Sequence, residues 1–202
     1  CGSAPLSEET QIWFATIGIP VYQIYGLTET TAIVTMDQRD RVKPGHVGRV
    51  IEGVELRVSD EGELLCRGPN MFPGYWKRPE ATEQALRDGW FHTGDLAEIT
   101  AEGHVRVVGR LKDLLVPESG HNVAPGPIEE KLVELVPGAE QVMLLGHARP
   151  FLSVILTGEV DDTAARSALD ELNENLPHYK KVRRYFLAPE PFTVENGLLT
   201  AN

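Results

Sequence analysis

The sequence is poor in cysteine: Cys1 and Cys66 are the only two among 202 residues. Two thiols cannot build the disulfide framework of a small secreted scaffold, so that class is excluded and a reducing, cytoplasmic compartment is expected. Positive charge is scarce as well. Lysine and arginine total 19 against 30 aspartates and glutamates, a net charge of −11. Such a chain is a poor electrostatic match for nucleic acid or an anionic membrane. No apolar run approaches the roughly 20 residues that a bilayer span needs. There are no low-complexity tracts and no internal repeats. Neither a G-x-x-x-x-G-K-[ST] nor a G-x-G-x-x-G loop occurs, and H-E-x-x-H, paired C-x-x-C and G-x-S-x-G are missing too. The six histidines show no metal-ligand spacing. The chain opens Cys1-Gly2-Ser3-Ala4-Pro5, with no basic leader and no initiating methionine, and so reads as a piece of something longer.

What is present divides into two halves of different texture. The first reads as short strands and turns with few helices. Ser7 to Ile17 is expected as a helix, with Ser7 capping ahead of Glu8 and Glu9. Val21 to Tyr25 is an apolar run suited to a buried strand. Val54 to Val58 alternates with period two, as does the stretch around Leu64 to Cys66, with Asp60-Glu61-Gly62 as the turn between them. Pro79 to Arg87 reads as a short helix stopped by Gly89, and His104 to Val108 as a strand. The second half carries longer amphipathic patterns. Pro127 to Val136 places Ile128, Leu132, Leu135 and Val136 on one stripe, and Asp162 to Leu176 does so with Leu169, Leu172 and Leu176. Gln141–Leu145, Leu152–Thr157 and Arg184–Leu187 read as strands. The expected fold class is therefore α+β. A β-rich part over residues 1–111, a small distorted barrel, precedes a small α+β domain over 112–202, whose three-stranded sheet carries both helices on one face.

Three polar clusters stand out. Tyr25-Gly26-Leu27-Thr28-Glu29-Thr30-Thr31 follows the apolar strand, where α/β sheets place ligand groups. Its threonine hydroxyls suit phosphate and Glu29 suits magnesium, which prefers hard oxygen ligands. Gly89 to Leu96 presents Asp95 after a glycine, as acidic residues are presented to ribose hydroxyls. Gly109-Arg110-Leu111-Lys112-Asp113, followed by Ser119 to Val123, sits between the two halves as a candidate hinge. Taken one at a time, each reads more simply as a polar strand exit, a turn aspartate and a salt-bridged linker.

Taken together and in order, they resemble the adenylate-forming superfamily of acyl-CoA synthetases, luciferases and peptide-synthetase adenylation domains. The segments that carry the resemblance are Gly2-Ser3-Ala4-Pro5-Leu6, YGLTET at 25–30, GELLCRGPNMFPGYWKRPEAT at 62–82, GWFHTGDL at 89–96, GRLKD at 109–113 and SGHNVAPGPIE at 119–129. The long-chain fatty acyl-CoA synthetase branch is nearest, through YGLTET, GRLKDLL and the ending Pro191 to Thr200. The resemblance implies a two-step ligase. A carboxylate attacks the α-phosphate of ATP to give acyl-AMP, and the thiol of coenzyme A then displaces AMP. The cofactors it implies are ATP/AMP, Mg2+ and coenzyme A.

Carried over by motif position, Ser3 and Ala4 would line the adenine, with Tyr25 against its ring. Gly26 would lie beside the acyl carbonyl, Thr28 would bond the α-phosphate, and Glu29 would hold magnesium. Asp95 and Arg110 would bind the ribose hydroxyls. Lys112 would be the hinge, solvent-exposed, and Gly120 would line the pantetheine channel. Lysine at the hinge is the luciferase-like variant, whereas His121-Asn122 departs from the family's second glycine. The family's Ser/Thr/Gly-rich phosphate loop is not in this sequence, nor is its lysine in a Gly-Lys-Leu/Ile segment; Lys180 and Lys181 do not match that position. The chain alone is therefore expected to be inactive in adenylation and to self-associate through exposed core surface. The alternatives are a non-catalytic docking pair, or a relative that passes its acyl group to a carrier-protein thiol.

Overall fold

A computed structural model describes residues 1–2 and 6–200. The chain forms two compact units, Cys1–Leu111 and Lys112–Asn202. The predicted positions Ser3 and Ala4 lie outside the described residues.

The first unit starts with helix α1 (Glu8–Thr16), where the Ser7 side chain accepts the Thr10 amide as an N-cap should. Three two-residue strands follow, β1 (Ile24–Tyr25), β2 (Thr35–Met36) and β3 (Arg49–Val50), paired in the order β1-β2-β3. The expected strand over 21–25 is thus confined to its last two residues. The Gln23 amide is taken by the Asp37 carboxylate instead of by a strand partner. Next come β4 (Glu55–Val58), β5 (Glu63–Arg67), helix α2 (Pro79–Ala85), β6 (Leu86–Arg87), β7 (Trp90–Ile99) and β8 (Val105–Arg110). The helix expected over 79–87 stops at Ala85. Asp88 and Gly89, both at positive φ, make a two-residue turn that pairs Leu86 with Phe91 and Arg87 with Trp90. Asp-Gly is the pairing such hairpin turns favour, so the glycine serves a strand and not a helix stop.

The larger sheet is open, so the expected barrel does not close. Phe91 pairs with Cys66 of β5 and with Leu86 of β6, while Leu96 pairs with Glu63 of β5 and with Gly109 of β8. β5 thus takes one edge of the ten-residue β7, and β6 and β8 share the other edge end to end. Among the described strands β4 pairs only with β5, and β1 to β3 form a separate small sheet, so the edge at β4 stays open. The core of the unit gathers Val34, Leu64, Cys66, Phe91, Ala97 and Val105, with Tyr25 and Leu27 packed against it.

The second unit comprises α3 (Gly126–Leu135), β9 (Ala139–Leu145), β10 (Leu152–Gly158), α4 (Asp162–Glu174) and β11 (Val182–Leu187). The sheet order is β11-β10-β9, with β9 antiparallel and β11 parallel to β10. Ile128, Leu132 and Val136 from the α3 region and Ala165, Leu169 and Leu172 from α4 share one core with Leu144, Leu152, Val154 and Leu156. Both helices therefore cover the same sheet face, as their stripes require. Asp161 caps α4 by accepting the Ala164 amide.

Candidate functional site

The site in the first unit is organised by a buried carboxylate. Asp95 is 4% exposed and lies in mid-β7. Its Oδ2 accepts the Tyr25 hydroxyl at 2.6 Å, and its Oδ1 lies 3.1 Å from Arg110 Nε. Arg110 is its cross-strand partner on β8, so the register of two strands, not the sequence spacing, makes this pair. Thr93 holds the approach: its hydroxyl donates to the Leu64 carbonyl and accepts the Asp95 amide. Glu63 Oε1 accepts the Gly94 amide. Burial, with the adjacent Asp95 charge, drives the Tyr25 phenol far above the ordinary range, so it stays a hydrogen-bond donor. The same two causes, burial first, push the neighbouring Cys66 thiol up to about 12, which makes it inert.

Tyr25 also joins this carboxylate to the loop after β1. Thr28–Thr30 form one 3-10 turn. Gly26 faces the Ala32 carbonyl so closely that a β-carbon would stand 2.1 Å from its oxygen. A larger residue there would have to move backbone. Thr31 and Ala32 both take positive φ without being glycine, a local strain fixed by the surrounding bonds. The three threonines are not equivalent. Thr30 is buried and its hydroxyl is spent on the Leu27 amide and carbonyl, while the Thr31 hydroxyl donates to the Asn70 carbonyl. Thr28 is exposed, and its hydroxyl has no protein partner among the described residues. Of the three, it is the one free for a ligand.

Glu29 is held by residues that sequence reasoning did not single out as site residues. The Tyr75 hydroxyl donates to Glu29 Oε1 at 2.8 Å, and the Phe72 amide donates to the Glu29 carbonyl at 2.7 Å. Asn70 Nδ2 bonds the carbonyls of Thr30 and Ile33. Phe72 packs edge-on between Tyr75 and Phe91. Segment 70–75 thus straps the loop from outside, and burial together with Glu29 raises the Tyr75 phenol. The only signal was that these residues lie within the long 62–82 match; nothing in their types announced the contact.

The fit to magnesium can be judged from this donor set. Tyr75 bonds only Oε1 of Glu29, and no group of three or more His, Cys, Asp or Glu able to hold a metal occurs among the described residues. One carboxylate suits an ion that keeps waters and completes its shell with substrate phosphates. The other two predicted positions belong to the second unit. Lys112 is exposed in the 3-10 turn Leu111–Asp113, and Gly120 is exposed at positive φ, its amide on the Pro117 carbonyl. Next to it, His121 stacks on Tyr179 with ring centroids 4.3 Å apart. No helix among the described residues is long and apolar enough to cross a membrane.

The AMP-binding enzyme family matches residues 1–76. The long-chain-fatty-acid–CoA ligase FadD15 of Mycobacterium bovis is 33% identical over 98% of this chain. The mouse long-chain-fatty-acid–CoA ligase ACSBG1 is 36% identical over 77% of it. The chain spans 37% and 22% of the lengths of these two relatives. Among solved structures, ATP-bound MatB from Rhodopseudomonas palustris superposes with a TM-score of 0.79 at 34% identity, covering 94% of this chain and 41% of that one. The O-succinylbenzoate coenzyme A synthetase MenE of Bacillus subtilis, in complex with ATP and magnesium, does so with a TM-score of 0.75 at 25% identity, covering 98% and 44%. By sequence and by fold, this chain is similar to the AMP-binding, adenylate-forming enzymes, among relatives named as fatty-acid–CoA ligases.

Proposed function

We propose that this chain supplies the ribose- and phosphate-facing side of an acyl-CoA synthetase that activates a carboxylate, a fatty acid, as acyl-AMP and passes it to coenzyme A. The observation that carries the reading is Asp95: a buried carboxylate held between Tyr25 and Arg110. An aspartate fixed in this way keeps lone pairs in a set direction, and the two ribose hydroxyls of a nucleotide donate to such a group. Arg110 adds a donor fork at the mouth of the same pair. Thr28, with its free hydroxyl, bonds the α-phosphate. Gly26 leaves room for the acyl carbonyl, and Glu29, steadied by Tyr75, offers one oxygen to magnesium. The ion supplies charge neutralisation on the phosphate oxygens when bound. Tyr25 keeps its proton and so orients Asp95 without competing for the ribose as an acceptor. In the second unit, Lys112 serves as the hinge and Gly120 lines the path of the pantetheine thiol.

The test is a thermal-shift titration with a non-hydrolysable acyl-AMP mimic. Stabilisation of the chain that is lost in Asp95→Ala supports the reading; no shift, or an equal shift in both proteins, overturns it. The sequence holds neither the phosphate loop nor the adenylation lysine of the family, so this chain should give no ATP–pyrophosphate exchange with any fatty acid. Robust exchange would refute that part.

A second reading, a docking module, is favoured by α1. That helix buries Gln11 and leaves Ile12 and Trp13, with Ile17 just past its end, in water, Trp13 being 58% exposed. Apolar surface of this kind favours association. We expect concentration-dependent self-association by light scattering, and a clean monomer at high concentration would count against it.

A further inference from the structure

A second polar feature of the first unit lies outside the Asp95 site. Segment 37–49 carries four cations, Arg39, Arg41, Lys43 and Arg49, against two acids, Asp37 and Asp40, in a chain where acids outnumber bases overall. Three of the four cations converge. Arg41, Lys43 and Arg49 line one cleft of about 550 Å³ together with Val42, Glu102 and His104. The convergence is tertiary. Arg49 and His104 are bridged antiparallel, and the Val47 amide and Val105 carbonyl close the same ladder at 2.8 Å. The Arg49 guanidinium lies over Gly103, where a β-carbon would come within 3.4 Å of it.

The charges in this cleft are poorly matched from within. Lys43 reaches Glu102 at 3.9 Å, which is the only ion pair there among the described residues. Neither Arg41 nor Arg49 has an acidic partner among the described residues. His104 gives a second, independent sign. It is 8% exposed, its Nε2 lies 2.9 Å from the Arg41 carbonyl and therefore carries the ring proton, and its Nδ1 has no protein partner. Behind it stand the His46 ring, edge-on at 6.2 Å, and the buried Asp37, whose Oδ2 takes the Gln23 amide and whose Oδ1 is unpartnered. Buried polar groups are normally satisfied, so the unpaired Nδ1 of His104, the one such atom on a lining residue among the described residues, points to a missing ligand, whereas Asp37 lies outside the lining.

We propose that this cleft binds a phosphate-bearing small molecule, at a site separate from Asp95. Two guanidiniums and an ammonium suit an oxyanion that accepts several hydrogen bonds, and the His104 Nδ1, left as an acceptor, suits one donor; a monoanionic phosphate group, with its P–O acceptors and one P–OH donor, offers both. His104 immediately precedes β8 and Arg110 ends it, six residues apart, which puts roughly 20 Å of extended chain between the cleft and the ribose-facing pair. A phosphate held here is not the one that Thr28 faces.

The test is a 1H–15N NMR titration of this chain at constant ionic strength, with inorganic phosphate, phenyl phosphate and chloride in parallel. The expected result is a saturable shift of the Arg41, Gly103 and His104 amides with either phosphate and not with chloride, while the Asp95 and Arg110 amides stay in place. Arg41→Gln/Arg49→Gln should weaken binding about tenfold or more, and Arg41→Lys/Arg49→Lys less, because it keeps the charge and loses the fork. Lys43→Gln provides an independent variant should the double substitution unfold the chain. Tighter binding of phenyl phosphate would mark the ligand as a phosphate ester, and equal binding would mark it as the free anion. Three results would each overturn the proposal: no saturable shift, shifts that chloride reproduces, or undiminished binding by the folded glutamine variants.

Discussion

The two units bury their helices by opposite rules. In the second unit, α4 puts Ala165, Ala168, Leu169 and Leu172 into the core and leaves its charges outside, as an amphipathic stripe should. In the first, α1 buries a glutamine, 2% exposed, and turns Ile12 and Trp13 outward. Gln11 is satisfied there: its amide nitrogen reaches the Val21 carbonyl, and its oxygen accepts the Gln23 side chain and the Gly45 amide. A buried amide with partners on several segments works as a clamp and contributes little hydrophobic energy. The second unit is thus held mainly by apolar area, while the first combines an apolar core with polar cross-ties. The cross-ties lie in the half that carries the candidate site, where fixed directions matter more than bulk burial.

The largest test of that contrast is cavity formation. Leu132→Ala, at a fully buried position shared by α3 and the second sheet, should cost about 2–5 kcal/mol. Hydrogen exchange should then show protection lost in β9 and β10, with the Asp95 strand pair retained. Leu64→Ala should do the reverse. Loss of protection across both units in either variant would break the comparison.

Next in size is the buried carboxylate. Asp95→Ala leaves the Tyr25 hydroxyl and Arg110 unpaired, and binding of the acyl-AMP mimic should weaken by about 1.5–3 kcal/mol, roughly ten- to a hundredfold. Tyr75→Phe removes only the bond to Glu29 and should weaken the magnesium-dependent part of that binding by about 0.5–1.5 kcal/mol, as calorimetry with and without the ion would read. An equal loss without magnesium would mean that Tyr75 only supports the strap.

Smaller effects come from pH and thiol chemistry. Burial raises the Asp37 carboxyl above its usual value, against the pull of the Gln23 amide, Gln11 and the two histidines. The folded state therefore holds that proton more tightly than the unfolded one. The resulting stability is full below the ordinary aspartate pKa and is lost as pH rises through the raised folded value. Asp37→Asn should flatten that slope in urea unfolding measured across the acid range; an unchanged slope would remove Asp37 from the account. Cys66, with its thiol up at about 12, should resist alkylation in the folded chain while the exposed Cys1 reacts. Two thiols labelled at equal rates under native conditions would mean that the core of the first unit opens readily.

Much of the second unit was legible in the sequence. Its two helices, three strands and single core face follow from apolar spacing, because long periodic segments report the surface they bury. In the first unit, the 54–58 and 63–67 hairpin and the Ser7 cap were legible for the same local reasons. The resemblance carried by the polar motifs named Tyr25, Glu29, Asp95 and Arg110 together. What local pattern could not supply was their pairing. Tyr25 and Asp95 are seventy residues apart, and Asp95 meets Arg110 only through the register of β7 on β8. The part of Tyr75, the exemption of Thr28 from the bonds that consume its two neighbours, and the burial of Gln11 in place of Trp13 were likewise decided by packing. Spacing along a chain determines which face of an element is apolar, because one element's geometry suffices for that. Which polar group finds which partner depends on the register between elements, and that exists only once the chain has folded.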